Sequence, residues 1–101
     1  MTTDFDVVDL GYDPIGQVMA ALISQGGWRV GVMERQPGLC PLPRIRHLDH
    51  EVMRIVHAVG VAAAFEREAY VCRTYDWVNA AGQVLVHFDW DKPAINGWSP
   101  H

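Results

Sequence analysis

One turn constrains this chain more than anything else in it: Gly11-Tyr12-Asp13-Pro14-Ile15-Gly16, set between a β-prone run and an amphipathic stretch. The run Phe5-Asp6-Val7-Val8-Asp9-Leu10 is a short strand that Gly11 ends. From Pro14 onward, Ile15, Val18, Met19, Leu22 and Ile23 recur at i, i+3, i+4, i+7 and i+8, which is one helical face. Pro14 suits a first helical turn, where its missing N–H costs nothing. Gly26-Gly27 then stops the helix as a left-handed C-cap does. Trp28-Arg29-Val30-Gly31-Val32-Met33 reads as a second strand. Strand, glycine turn, helix and strand imply a βαβ unit with parallel strands and a right-handed crossover.

The rest of the chain adds less regular structure. Pro37, Gly38, Pro41 and Pro43 make residues 36 to 46 a loop. Leu48, Val52, Ile55, Val56 and Val59 keep helical spacing, so a second helix is expected over 48 to 59, with Asp49 and Glu51 at its positive end and Gly60 as its stop. Residues 61 to 67 add a further helical turn or two. Residues 75 to 79 and 84 to 88 flank Ala80-Ala81-Gly82-Gln83 as a β-hairpin. The tail from Asp89 to His101 shows no element of its own. The expected class is therefore α/β: an incomplete Rossmann-like βαβ core with an added helix and a C-terminal β-hairpin.

At 101 residues the chain allows one small domain at most. Eight Lys and Arg against twelve Asp and Glu leave a net charge of −4, so no basic stripe is present to bind nucleic acid. Cys40 and Cys72 form neither a disulfide framework nor a C-x-x-C zinc pair. The acidic start Met1-Thr2-Thr3-Asp4 is unlike a secretory leader, and no apolar run approaches the ~20 residues that cross a bilayer. No membrane partner and a cytoplasmic location are the expectation.

The turn is where chemistry is expected. A dinucleotide fingerprint reads G-x-G-x-x-G; here Gly11 and Gly16 stand, and Asp13 takes the middle place. Gly11 makes the sharp turn and Gly16 brings helix close to strand. The first helical N–H groups face a pyrophosphate. Ala20, Gly27 and Val30 continue the spacing, and Glu34, 23 residues beyond Gly11, closes the second strand where an acid accepts from an adenosine ribose. A βαβ unit without nucleotide is the bland alternative. Glu34-Arg35 leaves flavin and nicotinamide nucleotides both open.

Beyond the turn, Asp6-Val7-Val8, Gly27-Trp28-Arg29-Val30 and Glu34-Arg35 resemble the N-terminus of FAD-dependent aromatic hydroxylases, the flavoprotein monooxygenases. Pro41-Leu42-Pro43-Arg44, the run from His47 to Ile55, Asn79-Ala80-Ala81-Gly82-Gln83, Phe88-Asp89-Trp90 and Gly97-Trp98 look most like the 3-(3-hydroxyphenyl)propionate hydroxylases among them. The resemblance covers essentially the whole chain. It implies FAD as cofactor, NADH or NADPH as reductant, and insertion of one oxygen atom of O2 into a phenol ring through a flavin hydroperoxide. It implies cofactor contacts from Gly11, Asp13, Pro14, Ile15, Gly16, Glu34, Arg35 and Arg44, and no catalytic residue or metal ligand in this segment. It also implies that residues 1–101 are the N-terminal part of an FAD-binding domain, ending before the substrate domain, and inactive alone.

Two residues depart from the pattern. Asp13 sets a carboxylate near two phosphate charges; a like charge ~4 Å away costs about 4 kcal/mol at an effective dielectric of ~20. Half of that is a factor of ~30 in affinity. Aspartate tolerates left-handed backbone, so the turn itself survives. Asp9 stands in a central strand, where an ionised group needs a partner. Two strands cannot cover a sheet, so Val8, Leu10 and Val32 are expected to be exposed, with self-association through the open edge. A non-catalytic remnant that docks on a partner without flavin is the second reading. His47, His50 and His57 with Asp49 and Glu51 are better taken as a solvated helix turn than a metal site. Cys40 has no base near it. Tyr75, Trp77, Phe88 and Trp90 are cross-strand packing rather than a base-stacking platform. Arg46, like Arg44, could meet a phosphate from the loop.

Overall fold

Apolar runs bounded by glycine pair as the spacing requires: β1 (Val7–Leu10) lies parallel to β2 (Val30–Met33), joined by helix α1 (Pro14–Gln25). The computed structural model describes residues 2–44, 46–90 and 92–101; Met1, Ile45 and Asp91, from the acidic start, the loop and the tail, lie outside it. The chain forms two units, residues 1–44 and 45–101.

In the first unit the strands are shorter than the expected 5–10 and 28–33. The register runs from Val7↔Val30 to Leu10↔Met33. At its open end one carbonyl, that of Arg29, accepts from the amides of both Asp6 (2.8 Å) and Val7 (3.2 Å), and the ladder stops there. The Asp6 carboxylate takes over, accepting from the Arg29 amide (2.9 Å), Nε (3.1 Å) and Nη2 (2.8 Å), while Arg29 Nη1 donates to the Thr3 carbonyl (2.8 Å). This two-pronged grip by the Arg29 guanidinium holds the Asp6 carboxyl at about 2, well below its ordinary value. Phe5 lies outside the ladder, with its ring over Gly31, where an added Cβ would stand 2.9 Å from Cδ2.

α1 ends through Gly26, which keeps right-handed helical geometry; the left-handed residue of the pair is Gly27, at φ +89°. The uncovered apolar surface is as expected: Val8, Leu10 and Val32 are 47%, 78% and 39% exposed. The Asp9 Oδ2 atom is buried and finds no hydrogen-bond partner, so the pairing its position calls for is missing.

In the second unit, α2 (His50–Val59) is followed by α3 (Ala62–Glu66) and the hairpin β3 (Thr74–Val78) and β4 (Val84–Asp89). α2 starts two residues later than expected because Asp49 is its N-cap, accepting from the Val52 amide at 2.8 Å. Leu48 is instead drawn into reciprocal backbone bonds with His101, at 2.7 and 2.9 Å. Gly60 closes the helix in left-handed geometry. Met53 and Ala62 are the buried apolar residues among those described.

The hairpin turn is tied by Asn79 Oδ1, which accepts from the amides of Ala81 (2.9 Å) and Gln83 (3.0 Å). Trp77 pairs with Val86 and Val78 with Val84, so Leu85 is the extra residue of a bulge. Tyr75, Phe88 and Trp90 pack together across the strands, with centroids 5.8 to 6.4 Å apart. His47 joins them, stacked on Trp90 at 5.5 Å; it stays exposed as expected, but lies ahead of α2 rather than in its first turn. The tail has no element, yet Asn96 ties it to α2 through the His50 carbonyl and the Glu51 carboxylate, both at 3.1 Å.

Candidate functional site

The strand-to-helix turn gathers most of the residues singled out from the sequence. Gly11 has φ +111°, a conformation that favours glycine, and its amide donates to the Met33 carbonyl at 2.8 Å, carrying the β1–β2 pairing one step into the turn. Gly16 is needed for a different reason. A Cβ there would stand 2.3 Å from the Gly11 carbonyl oxygen, so only a hydrogen lets α1 approach the turn this closely. Gln17, not anticipated as a turn residue, donates from Nε2 to the Tyr12 carbonyl at 2.9 Å and holds the turn from the helix side.

Pro14 is the first residue of α1, and Ile15 beside it is 80% exposed. Asp13 is the N-cap residue, with extended backbone at φ −74°; its tolerance for left-handed geometry is not used. Its side chain makes no capping bond. The Ile15 and Gly16 amides, which an N-cap acid would ordinarily bind, are therefore left free of it. Arg44 reaches the same place from the loop, with Nη1 3.7 Å from Asp13 Oδ2.

Glu34 closes β2 and turns towards this crevice. Its Oε2 accepts from the Tyr12 amide and its Oε1 from the Gln36 amide, each at 2.7 Å. Those two N–H groups, Gln36 first, hold its carboxyl below the usual range. Each oxygen keeps a further lone pair, so Glu34 can brace the turn and still accept from a hydroxyl. Arg35 follows on the exposed surface and adds a small favourable charge to Glu34.

The residues present fit an ADP-like group in shape: a close glycine approach, an uncapped helix start and a carboxylate at the end of the neighbouring strand. The Asp13 charge is the feature that works against it, and Arg44 stands beside that charge. The five contacts that build this arrangement (Arg44 with Asp13, Glu34 with Tyr12 and Gln36, Gln17 with Tyr12, Gly11 with Met33) link residues on both sides of the turn. The Gly11, Glu34 and Arg44 placements carried a signal in the sequence; the bracing by Gln17 did not. Among the described residues no group of three or more His, Cys, Asp or Glu could hold a metal ion, and no helix is long and apolar enough to cross a membrane.

Comparison with known proteins converges on one family. The profile described as "FAD binding domain" matches residues 4–95. A probable NADH-specific resorcinol 4-hydroxylase of Rhodococcus jostii (strain RHA1) is 40% identical over 93 residues, 92% of this chain and 18% of that protein. A 3-(3-hydroxy-phenyl)propionate/3-hydroxycinnamic acid hydroxylase of Comamonas testosteroni is 27% identical over 95% of this chain and 16% of its own length. The crystal structure of p-nitrophenol 4-monooxygenase from Pseudomonas putida DLL-E4 superposes with a TM-score of 0.78 at 26% identity, over 89% of this chain and 23% of that one. The chain thus spans about a fifth of the length of these proteins.

Proposed function

The chain belongs to the FAD binding domain family, and from that membership we propose that its Gly11–Gly16 turn holds the pyrophosphate and Glu34 the adenosine ribose of FAD, within an NAD(P)H-dependent aromatic-ring monooxygenase. The single observation that carries this reading is the uncapped start of α1 behind a glycine turn that a Cβ at position 16 would close. The Ile15 and Gly16 N–H groups bind phosphate oxygens with the favourable end of the helix dipole behind them. Gly11 lets the chain reverse without a side chain in the way. Pro14 fixes the entry to α1, and Ile15 gives the adenosine side of the crevice an apolar wall. Glu34 accepts from ribose hydroxyls, its carboxylate kept ionised by the Gln36 and Tyr12 amides. Arg35 and Arg44 supply positive charge at the rim.

Bound FAD would supply the redox chemistry of an NAD(P)H-dependent aromatic-ring monooxygenase, and the Gly11–Gly16 turn, Glu34, Arg35 and Arg44 would hold its ADP portion. The reductant we favour is NADH, because the 40% identical relative is named as NADH-specific. The substrate we favour is a phenol, the class shared by the named relatives. This segment contributes binding and orientation, not an acid or base.

The test is direct. The chain is titrated into FAD and the flavin fluorescence and retained absorbance are followed. Saturable binding at micromolar concentrations is expected. A protein fraction that carries no flavin there overturns the reading and leaves the second one, a docking remnant, which the exposed Val8 and Leu10 would favour.

A further inference from the structure

The two longer helices of this chain both begin at an aspartate, and the two aspartates behave differently. Asp13 has φ −74° and ψ 176°; Asp49 has φ −76° and ψ 172°. With backbones this alike, both can place a carboxylate on their own first turn. Asp49 does so, accepting from the Val52 amide at 2.8 Å. Asp13 does not, and its carboxylate lies instead 3.7 Å from Arg44 Nη1. The difference between the two ends is therefore in the side chain and its cationic neighbour, not in the main chain.

We propose that Arg44 is a positioning residue that holds the Asp13 carboxylate off the start of α1, and so keeps the chain's own acid from filling the phosphate seat. The inference rests on the FAD reading above. Without Arg44, Asp13 falls into the capping position its backbone already offers, on the Ile15 or Gly16 N–H. Those are the donors an FAD phosphate needs, so the acid becomes a built-in competitor as well as a repelling charge. The contact in the structure uses one guanidinium nitrogen at charge-pair distance. Arginine has five N–H donors, so the remaining face can meet a phosphate while the first restrains the acid. Arg44 then does two things for FAD, and only one of them depends on Asp13.

That separation gives the experiment. FAD affinity is measured by flavin fluorescence for the unaltered chain, Arg44→Ala, Asp13→Gly and the double variant. Arg44→Ala should weaken binding by about tenfold or more when Asp13 is present, and by about threefold or less when Asp13 has been replaced by glycine. This is non-additivity of the size that groups in contact show. Equal losses in the two backgrounds overturn the proposal and leave Arg44 as a plain phosphate contact.

A second measurement needs no flavin. Amide hydrogen exchange at Ile15 and Gly16 should slow in Arg44→Ala by about 2- to 30-fold, the range that a helix cap of ~0.5–2 kcal/mol corresponds to. Unchanged exchange at both amides refutes the proposal while the FAD reading stands. If no variant binds FAD, the FAD reading falls and the proposal falls with it, whatever the exchange shows.

Discussion

Replacing Gly16 with alanine sets two physical effects of opposite sign against each other. Alanine is the better helix former by about 1 kcal/mol, so propensity alone makes Gly16→Ala stabilising. The new methyl would stand 2.3 Å from the Gly11 carbonyl oxygen and 3.1 Å from its carbon, both main-chain atoms that cannot swing aside. Restoring ordinary contact moves the start of α1 away from the turn by about an ångström. Overpacking of this kind costs about 1–3 kcal/mol, with rigid neighbours at the upper end. The net expectation is a loss of about 2 kcal/mol, or roughly 8–16 °C in melting temperature for a domain of this size. Urea and thermal unfolding followed by circular dichroism measure it. Gly38→Ala is the control: it has open space around it and no left-handed backbone, so its effect should stay within about 0.5 kcal/mol. A Gly16→Ala chain as stable as the parent, or more so, would refute the close-approach argument, and with it the reason given for glycine at that place.

Other outcomes follow from the same contacts. Arg29 lowers the Asp6 carboxyl from an ordinary 3.8 to about 2, so stability from the pair is fully present above the ordinary value and is lost as pH falls through the folded one. Asp6→Asn should remove most of that acid-side slope in unfolding midpoints; an unchanged slope would show that the pair does not form. Asp49→Ala should cost about 0.5–2 kcal/mol through the lost cap. Asp13→Ala, which loses no capping bond, should cost less than about 0.5 kcal/mol; equal costs would contradict the contrast between the two helix ends. The exposed Val8, Leu10 and Val32 beside two open strand edges lead us to expect concentration-dependent association in sedimentation. A monomer at every concentration would count against it.

The βαβ unit was legible because its signals are local: a glycine that breaks the strand, a proline that opens the helix, and apolar residues at helical spacing. Glu34 could be placed at the turn because its distance from Gly11 is set by one strand, one helix and one strand. What escaped the sequence depends on partners far apart in the chain. Asp49 caps α2 locally, but the fate of Leu48 ahead of it, exchanging backbone bonds with His101, is set from the far end of the chain. His47 stacks on Trp90 for a like reason, and no periodicity forecasts a contact across more than forty residues. Phe5 is different: an aromatic residue able to lie over a glycine of the neighbouring strand is a packing pair that the sequence itself offers. The restraint of Asp13 by Arg44 lay hidden because the fingerprint marks position 13 by the glycine it lacks, and says nothing of a cation arriving from the loop.

Met53 has a consequence of its own. It is the one large side chain wholly withdrawn from water among the described residues. A peroxide that reached its sulfur would convert a flexible apolar group into a polar sulfoxide. Oxidation there would put a polar group at the most deeply buried side chain described in the second unit, so the same residue that anchors its interior is the one where a single added oxygen atom would disturb it most.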